Sequence, residues 1–243
     1  MTYNVHSCMG KGGKPLPELI AEVISSYMPD VVALQELDSG LKRTGFVDQA
    51  GELARLLKMQ FHFHPSLYLE DGFYGNAILS RFPLKPVKAD ALPMLSGINT
   101  HETRGVLWVE VELEKTIIQV LNTHLGLNRR ERILQIKHLT GKKWLRHPLC
   151  SAPIIFCADL NALPTSSVYR EIRKILRDGQ EFFGRGLKRT WPSRFPLMRI
   201  DYIFVSPDVQ INNISVPRSH LTRSASDHLP VIAEIALPAE STE

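Results

Sequence analysis

Cysteine is scarce in this chain and never arranged in pairs: Cys8, Cys150 and Cys157 are an odd set with no C-x-x-C spacing. That excludes a disulfide framework and a zinc knuckle, and it points to a reducing compartment. No apolar run reaches the roughly 20 residues of a membrane span before Asp, Glu or Pro interrupts it, so stable bilayer insertion is not expected. The start shows no basic segment followed by an apolar core and a small-residue cleavage site. Strand-like sequence begins at Thr2 instead, so the expected location is cytoplasmic. Internal repeats and low-complexity linkers are missing too, which leaves one domain over 1–243 with its core at about 2–237, expected to be a monomer. There is no strong excess of one charge sign: 29 Lys+Arg against 25 Asp+Glu leave a net +4. Such a balance suits a phosphate-bearing partner without requiring one.

What is present is the alternation of two hydrophobic periods, in a chain with 44% apolar residues and hence enough for one large core. Thr2 to Val5 and Val31 to Gln35 are strand-like. Between them, Leu16 to Met28 places Leu19, Ile20, Val23, Ile24 and Tyr27 on one helical face, with Pro17 in the first turn and Pro29 closing it. Val47 to Met59 repeats the helical spacing, and Phe61 to His64, Asn76 to Ser80, Gly105 to Leu113 and Thr116 to Thr123 follow as strands without helices between, which implies antiparallel pairing. A helix is expected over Arg129 to Arg146 behind the Asn128 cap, a buried strand over Pro153 to Cys157, and a short helix over Thr165 to Leu176. The tail returns to strands at Ile200 to Val205, Val209 to Val216 and Pro230 to Leu237. The expected fold is α/β (α+β), a two-layer, mostly antiparallel β-sandwich with helices on both outer faces. Two polar loops, Asp38 to Phe46 and Asp90 to Thr103, are expected to be mobile or substrate-facing.

Polar residues recur at the ends of these apolar runs, and read together they form a constellation. They are Asn4 in Thr2-Tyr3-Asn4-Val5, Glu36 in Ala33-Leu34-Gln35-Glu36, His124 in Asn122-Thr123-His124-Leu125, and Asp159 with Asn161 in Ala158-Asp159-Leu160-Asn161. Asp201 in Arg199-Ile200-Asp201-Tyr202 and the hexapeptide Ser226-Asp227-His228-Leu229-Pro230-Val231 complete it. Strands of a common sheet system would bring these tips to one mouth. Hydrolysis of a phosphoester needs a hard cation, a group that orients or deprotonates water, and donors for the charge developing on phosphorus. Magnesium takes oxygen ligands and keeps several waters, so one or two carboxylates suffice, and Glu36 is the principal candidate ligand. Asp159 and Asn161, two apart, would share a face in extended backbone, whereas Asp227 and His228, being adjacent, would point apart and serve different partners.

In this set and its order the chain resembles the endonuclease/exonuclease/phosphatase (DNase I-like) superfamily, most closely its small single-domain bacterial members, from about Thr2 to Leu237. The resemblance implies the sandwich fold and a Mg2+-dependent phosphoester hydrolase, with Mn2+ as an alternative ion. It assigns Asn4 and Asp227 to the metal site with Glu36, and pairs Asp201 with the imidazole of His228. His124 would bind phosphate, where abasic-site endonucleases carry Tyr. The family most often has Gly-Asp-Phe-Asn where this chain has Ala158-Asp159-Leu160-Asn161. Asp159 would activate water for in-line attack with His228 and His124 stabilising phosphoryl charge, and the Asp201–His228 pair as base is the alternative. Whether one ion or two is bound stays open.

His6, Asn76, Arg81 and Arg104 are further substrate-binding candidates. Lys42-Arg43, Arg129-Arg130-Arg132 and Lys142-Lys143-Arg146 are basic clusters suited to nucleic acid or anionic lipid, although helix solvation accounts equally for the last. The first reading of function is a phosphodiesterase acting on nucleic acid. A phospholipid or sphingomyelin-type phosphodiesterase, or an inositol or sugar phosphatase, is the alternative, and a domain that binds phosphate or a partner without turnover ranks last.

Overall fold

The apolar faces expected from the sequence pair off into layers in the computed structural model, which describes residues 1–10, 12–95, 102–114, 116–151, 153–182 and 188–237. In chain order, strand β1 (Thr2–Asn4), helix α1 (Pro17–Tyr27) and β2 (Val31–Ser39) form a parallel β-α-β opening. Helix α2 (Gln49–Leu57) follows, then the strands β3 (Gln60–Leu69), β4 (Gly72–Ser80), β5 (Leu84–Ala91), β6 (Gly105–Leu113) and β7 (Thr116–His124), antiparallel wherever consecutive ones pair. Helix α3 (Arg129–Leu139) crosses over to β8 (Ile154–Asp159), which lies parallel to β7. After α4 (Ser167–Ile172) come β9 (Arg177–Asp178), β10 (Asp201–Val205), β11 (Gln210–Ser215), helix α5 (His220–Ala225) and β12 (Ile232–Ala236).

The strands form a four-stranded sheet in the order β1-β2-β4-β3, a six-stranded sheet in the order β5-β6-β7-β8-β10-β9, and the two-stranded pair β11-β12. Period-two alternation divides their side chains. Val32 and Leu34 of β2 pack with Ile20, Val23 and Ile24 of α1 and Leu53 of α2, while Ala33 between them turns to the other sheet and meets Ile78, Leu107, Val109 and Val120. On the far face of the large sheet, Trp108, Phe156, Tyr202 and Phe204 are covered by Ile136 and Leu139 of α3 and Val168, Tyr169 and Ile172 of α4. The result is the expected sandwich of two sheets between outer helices.

Several boundaries differ from expectation. Helix α3 stops at Leu139 rather than Arg146, because Gly141 follows and Trp144 and Leu145 fold back into the core as a turn. The helix expected from Thr165 to Leu176 is confined to α4, and α5, capped by Ser219 on Thr222 N, was not anticipated. The segment Asp38 to Phe46 is not a free loop: Asp38 is buried and takes hydrogen bonds from Ser7, Arg43 and Thr44. Asp90 and Ala91 of the second expected loop belong to β5, and its residues 96–101 lie outside the described residues. No described helix is long and apolar enough to cross a membrane. Cys8, Cys150 and Cys157 are all free and buried.

One polar bridge crosses the apolar seam between the sheets. Gln35 Nε2 donates to Asn122 Oδ1 at 2.7 Å, and Asn122 Nδ2 donates to the carbonyls of Leu34 at 2.8 Å and Ala77 at 2.9 Å. Both side chains are fully buried, and the bridge fixes how the sheets sit on each other just behind the site.

Candidate active site

Strand direction gathers the polar residues at one edge. Asn4, His124 and Asp159 are the last residues of β1, β7 and β8, as expected, and Glu36 lies three residues before the end of β2. Asp201 begins β10, which runs antiparallel to β8, so it faces Asp159 across the register. Asp227 and His228 precede β12 and reach the same edge because Thr2 and Val231 bridge antiparallel.

Glu36 does not sit at a strand end. Leu34 pairs with Ala77 and Leu37 with Gly75, so Gln35 and Glu36 form a bulge, and Glu36 takes the left-handed region at φ 61°. A non-glycine residue there is strained, and such outliers cluster at functional sites. Opposite the bulge, a Cβ on Gly75 would lie 2.0 Å from the carbonyl oxygen of His64, so only glycine fits. The bulge turns Glu36 out of the strand toward Asn4, whose Nδ2 donates to Glu36 Oε1 at 2.8 Å and to Asp159 Oδ2 at 2.9 Å. Asn4 Oδ1 accepts from the His6 backbone N–H at 3.1 Å. The amide nitrogen, not the oxygen, therefore faces the carboxylates, and Asn4 joins Glu36 of the small sheet to Asp159 of the large one.

Asp159 is buried at the centre. Burial first, and the neighbouring Asp201 carboxylate second, push its carboxyl up to about 7, against the opposing pull of His228 and the hydrogen bond from Asn4. Asn161 is not extended: at φ 47° its backbone N–H turns back to Asp159 Oδ1 at 2.9 Å, and its side chain donates to Leu125 O. Its Nδ2 lies 2.9 Å from His124 Nε2, while Arg104 Nη1 lies 3.1 Å from His124 Nδ1. Burial, then Arg104 and His228, hold His124 far below the usual histidine range, so the ring is neutral. A neutral imidazole has one lone pair, and the guanidinium can only donate. Both ring nitrogens face donors, Arg104 at Nδ1 and Asn161 at Nε2, so the single lone pair serves one of them, and Nε2 stands 3.4 Å from Asp159 Oδ2.

Asp201 is the partner of His228, as expected. Its Oδ2 and Oδ1 lie 2.9 and 3.2 Å from His228 Nδ1, and His228 Nε2 lies 3.7 Å from Asp159 Oδ2. Burial disfavours the charged ring, yet Asp201 and then Asp159 outweigh it and hold His228 up at about 10. Asp159, Asp201 and His228 are close enough together for their ligand atoms to share an ion, all within 4.8 Å. Within the cluster Asp201 is hydrogen-bonded to the ring, and Asp159 faces its other nitrogen at 3.7 Å as a charge rather than a hydrogen-bond partner.

Asp227 belongs to the loop that precedes β12. It is half-exposed, accepts from Trp191 Nε1 at 3.2 Å, and lies 3.7 Å from His6 Nδ1. His6, Ser7 and Cys8 take three successive left-handed conformations at φ 46, 51 and 53°. Asp38 on Ser7 Oγ and Gln49 on Ser7 O clamp this turn, which sets His6 on the rim. Asn76 is buried and donates to Gly105 O at 3.2 Å, which makes it part of the wall. Arg81 is not at the site. It follows the far end of β4, where Ser80 pairs with Val31, and its partner is Asp30 at 3.9 Å. Arg104 is at the site and buried, with Nη2 on Glu102 at 2.7 Å.

Sequence reasoning missed Trp191 and the Gln35–Asn122 bridge. It also missed Tyr74, which is buried beside Glu36 and Arg104, with its hydroxyl pushed far up first by burial and then by Glu36. Glu36 and Asp159, the carboxylates joined through Asn4, are hard oxygen donors with no thiolate among them, a set that fits Mg2+ or Mn2+ rather than zinc.

The family model for the endonuclease/exonuclease/phosphatase family matches residues 1–228. The chain is 27% identical to the Escherichia coli K12 protein YbhP, itself uncharacterized, over 98% of this chain and 95% of that one. Its fold is similar to that of an endonuclease/exonuclease/phosphatase from Bacteroides vulgatus, with a TM-score of 0.78, 18% identity and coverage of 98% of this chain and 97% of that one. It is also similar to the mannosyl-6-phosphatase Bt3783 of Bacteroides thetaiotaomicron, with a TM-score of 0.75, 18% identity and coverage of 97% and 98%.

Proposed function

This chain belongs to the endonuclease/exonuclease/phosphatase family, whose members hydrolyse phosphoester bonds, and from that premise we propose that it is a divalent-cation-dependent phosphodiesterase. The observation that carries the reading is the Asn4 amide, which brings Glu36 and the buried Asp159 together from two different sheets. Glu36 would hold Mg2+ or Mn2+, with Asp227 as a further oxygen donor. The ion, when bound, supplies positive charge to the non-bridging phosphoryl oxygens.

The remaining chemistry belongs to the chain. Asp159, with its carboxyl near 7, is poised to take a proton from an attacking water at neutral pH. Asn161 N–H fixes one carboxylate oxygen and leaves the other toward the site. His228, held charged by Asp201, presents Nε2 to phosphoryl charge developing in the same space. Neutral His124, held between Arg104 and Asn161, lines the same space from the other side.

Nucleic acid is the first substrate, supported by the exposed Arg129 and Arg130 beside the mouth. Phospholipid is the second, favoured by Leu127, Phe195 and Leu197, which stand exposed on loops at the same end. The free buried cysteines suit the reducing cytoplasm, with the protein acting as a monomer. Turnover of a chromogenic diester and of a monoester, each with Mg2+ and with excess chelator, tests the reading. Diester turnover lost in chelator is expected, whereas full activity in chelator removes the metal and a preference for the monoester makes the protein a phosphatase.

A further inference from the structure

Two loops beside the candidate site present large apolar side chains to solvent on backbone that is held fast. One is the turn between His124 and α3. Gly126 N donates to Gln135 Oε1 at 2.9 Å, and Arg132 Nη1 donates to the carbonyls of Gly126 at 3.2 Å and Leu127 at 2.5 Å. Leu127 projects from this clamp 74% exposed. The other is a hairpin closed by the Trp191–Met198 bridge, with Thr190 N on Met198 O at 2.8 Å and Leu197 N on Trp191 O at 2.9 Å. Its tip carries Arg194, Phe195 (79% exposed) and Leu197 (67% exposed), and its base is tied to Asp227 through Trp191 Nε1 and Ser193 N. The loops leave neighbouring strands, β7 and β10 flanking β8, so their bases stand about 10 Å apart at two strand spacings.

Ordered apolar tips grouped around a polar mouth mark an interaction surface. Two of the three are leucines, which offer no face for a base to stack on, so the surface does not read as a platform for single-stranded nucleic acid. The exposed arginines Arg129, Arg130 and Arg194 flank the tips and complement anionic headgroups. We propose that this rim docks the protein on an anionic phospholipid bilayer, with Leu127, Phe195 and Leu197 entering the interface and the arginines meeting phosphates. It rests on the phosphoester reading and, between the two substrates named there, favours phospholipid over nucleic acid.

The test separates docking from chemistry by measuring binding in chelator. Wild-type protein is sedimented with vesicles of phosphatidylcholine and phosphatidylglycerol, with vesicles of phosphatidylcholine alone, and with a fluorescent single-stranded oligonucleotide. Binding to the anionic vesicles is expected, weakened by salt. It should fall about tenfold or more in the variant L127S/F195S/L197S, since each apolar tip contributes buried area in the interface. An unchanged melting temperature shows that the variant is folded, and R129A/R194A gives a second variant in which the salt dependence should shrink. Absent vesicle binding, or equal binding by the triple variant, overturns the proposal. So does oligonucleotide binding that the triple variant loses while vesicles are ignored, or a vesicle-independent dimer that the same variant dissolves. Vesicle binding without turnover of a soluble diester would leave the docking surface standing and remove the phosphodiesterase reading alone.

Discussion

Replacing Asp201 with Asn reaches the charge balance of the whole site with one atom's change. Asp201 is 1% exposed, with its oxygens 2.9 and 3.2 Å from His228 Nδ1, and it faces Asp159 across the β8–β10 register. The amide keeps an oxygen for Nδ1–H but carries no charge. His228 then loses its main attraction and falls from about 10, while Asp159 loses its like-charged neighbour and falls from about 7. Turnover at neutral pH should drop about 100-fold, because the ring is no longer held charged against the phosphoryl group. The acid limb of the rate profile should move to lower pH in the same variant.

Stability offers an independent reading. His228 is raised above the ordinary 6.5, so the stability it contributes is fully present below that pH and is lost as pH rises through about 10. A shift of that size corresponds to something on the order of 5 kcal/mol. Asp159 is raised from 3.8 to about 7, so its own contribution is lost lower, as pH climbs through that window. The buried thiols and tyrosines, whose ionisation is also pushed up, lose stability in the same window in both proteins, so it is the difference between wild type and Asp201→Asn in urea unfolding in chelator at pH 7.5 and pH 10 that reports the histidine. Wild type should lose several kcal/mol between the two, and Asp201→Asn much less. A pH slope unchanged in the variant would refute the pairing, and so would rate losses of Asp201→Asn and His228→Ala that simply add in the double variant, since groups acting as a unit do not add.

Glu36→Gln should abolish the rise in melting temperature that Mg2+ or Mn2+ gives while leaving the metal-free melting temperature nearly unchanged, as read by a thermal shift titration. Asn4→Ala removes the amide joining Glu36 to Asp159, so kcat should fall tenfold or more and the midpoint of the metal titration should rise, both measured on a diester. Arg81→Ala, at the far end of β4, should stay within about 0.5 kcal/mol of wild type in urea unfolding and keep full turnover. Asn122→Ala leaves the Gln35 amide with Thr2 Oγ1 as its close acceptor and takes a side-chain donor from the carbonyls of Leu34 and Ala77, and it should cost about 1–3 kcal/mol in the same unfolding assay.

Much of the architecture was legible because burial writes a period into a strand or helix. Ala33 between Val32 and Leu34 already separates the faces of β2, and the order of polar tips is the order of strands. Strand β5 was not anticipated because Lys85, Pro86, Lys88 and Asp90 interrupt the apolar alternation, although charge and proline are what a sheet edge carries. The Glu36 bulge left no local signal, since left-handed backbone is usually announced by Gly or Asn and Glu is neither. Asn161 did carry that signal. Arg81 was misplaced although strand arithmetic excludes it: five residues beyond Asn76, it lies about 16 Å further along the strand. The Gln35–Asn122 bridge joins residues 87 apart in sequence, and no single-sequence period reports such a pair.

The Asn4 amide has a consequence for how activity is lost. Because its 2.8 and 2.9 Å bonds tie together carboxylates borne by different sheets, sliding the sheets past each other by an ångström breaks the site before any strand melts. Catalysis is then a gauge of sheet docking. In mild denaturant the rate should fail while far-ultraviolet circular dichroism is still native, and recover at once on dilution, with no refolding delay.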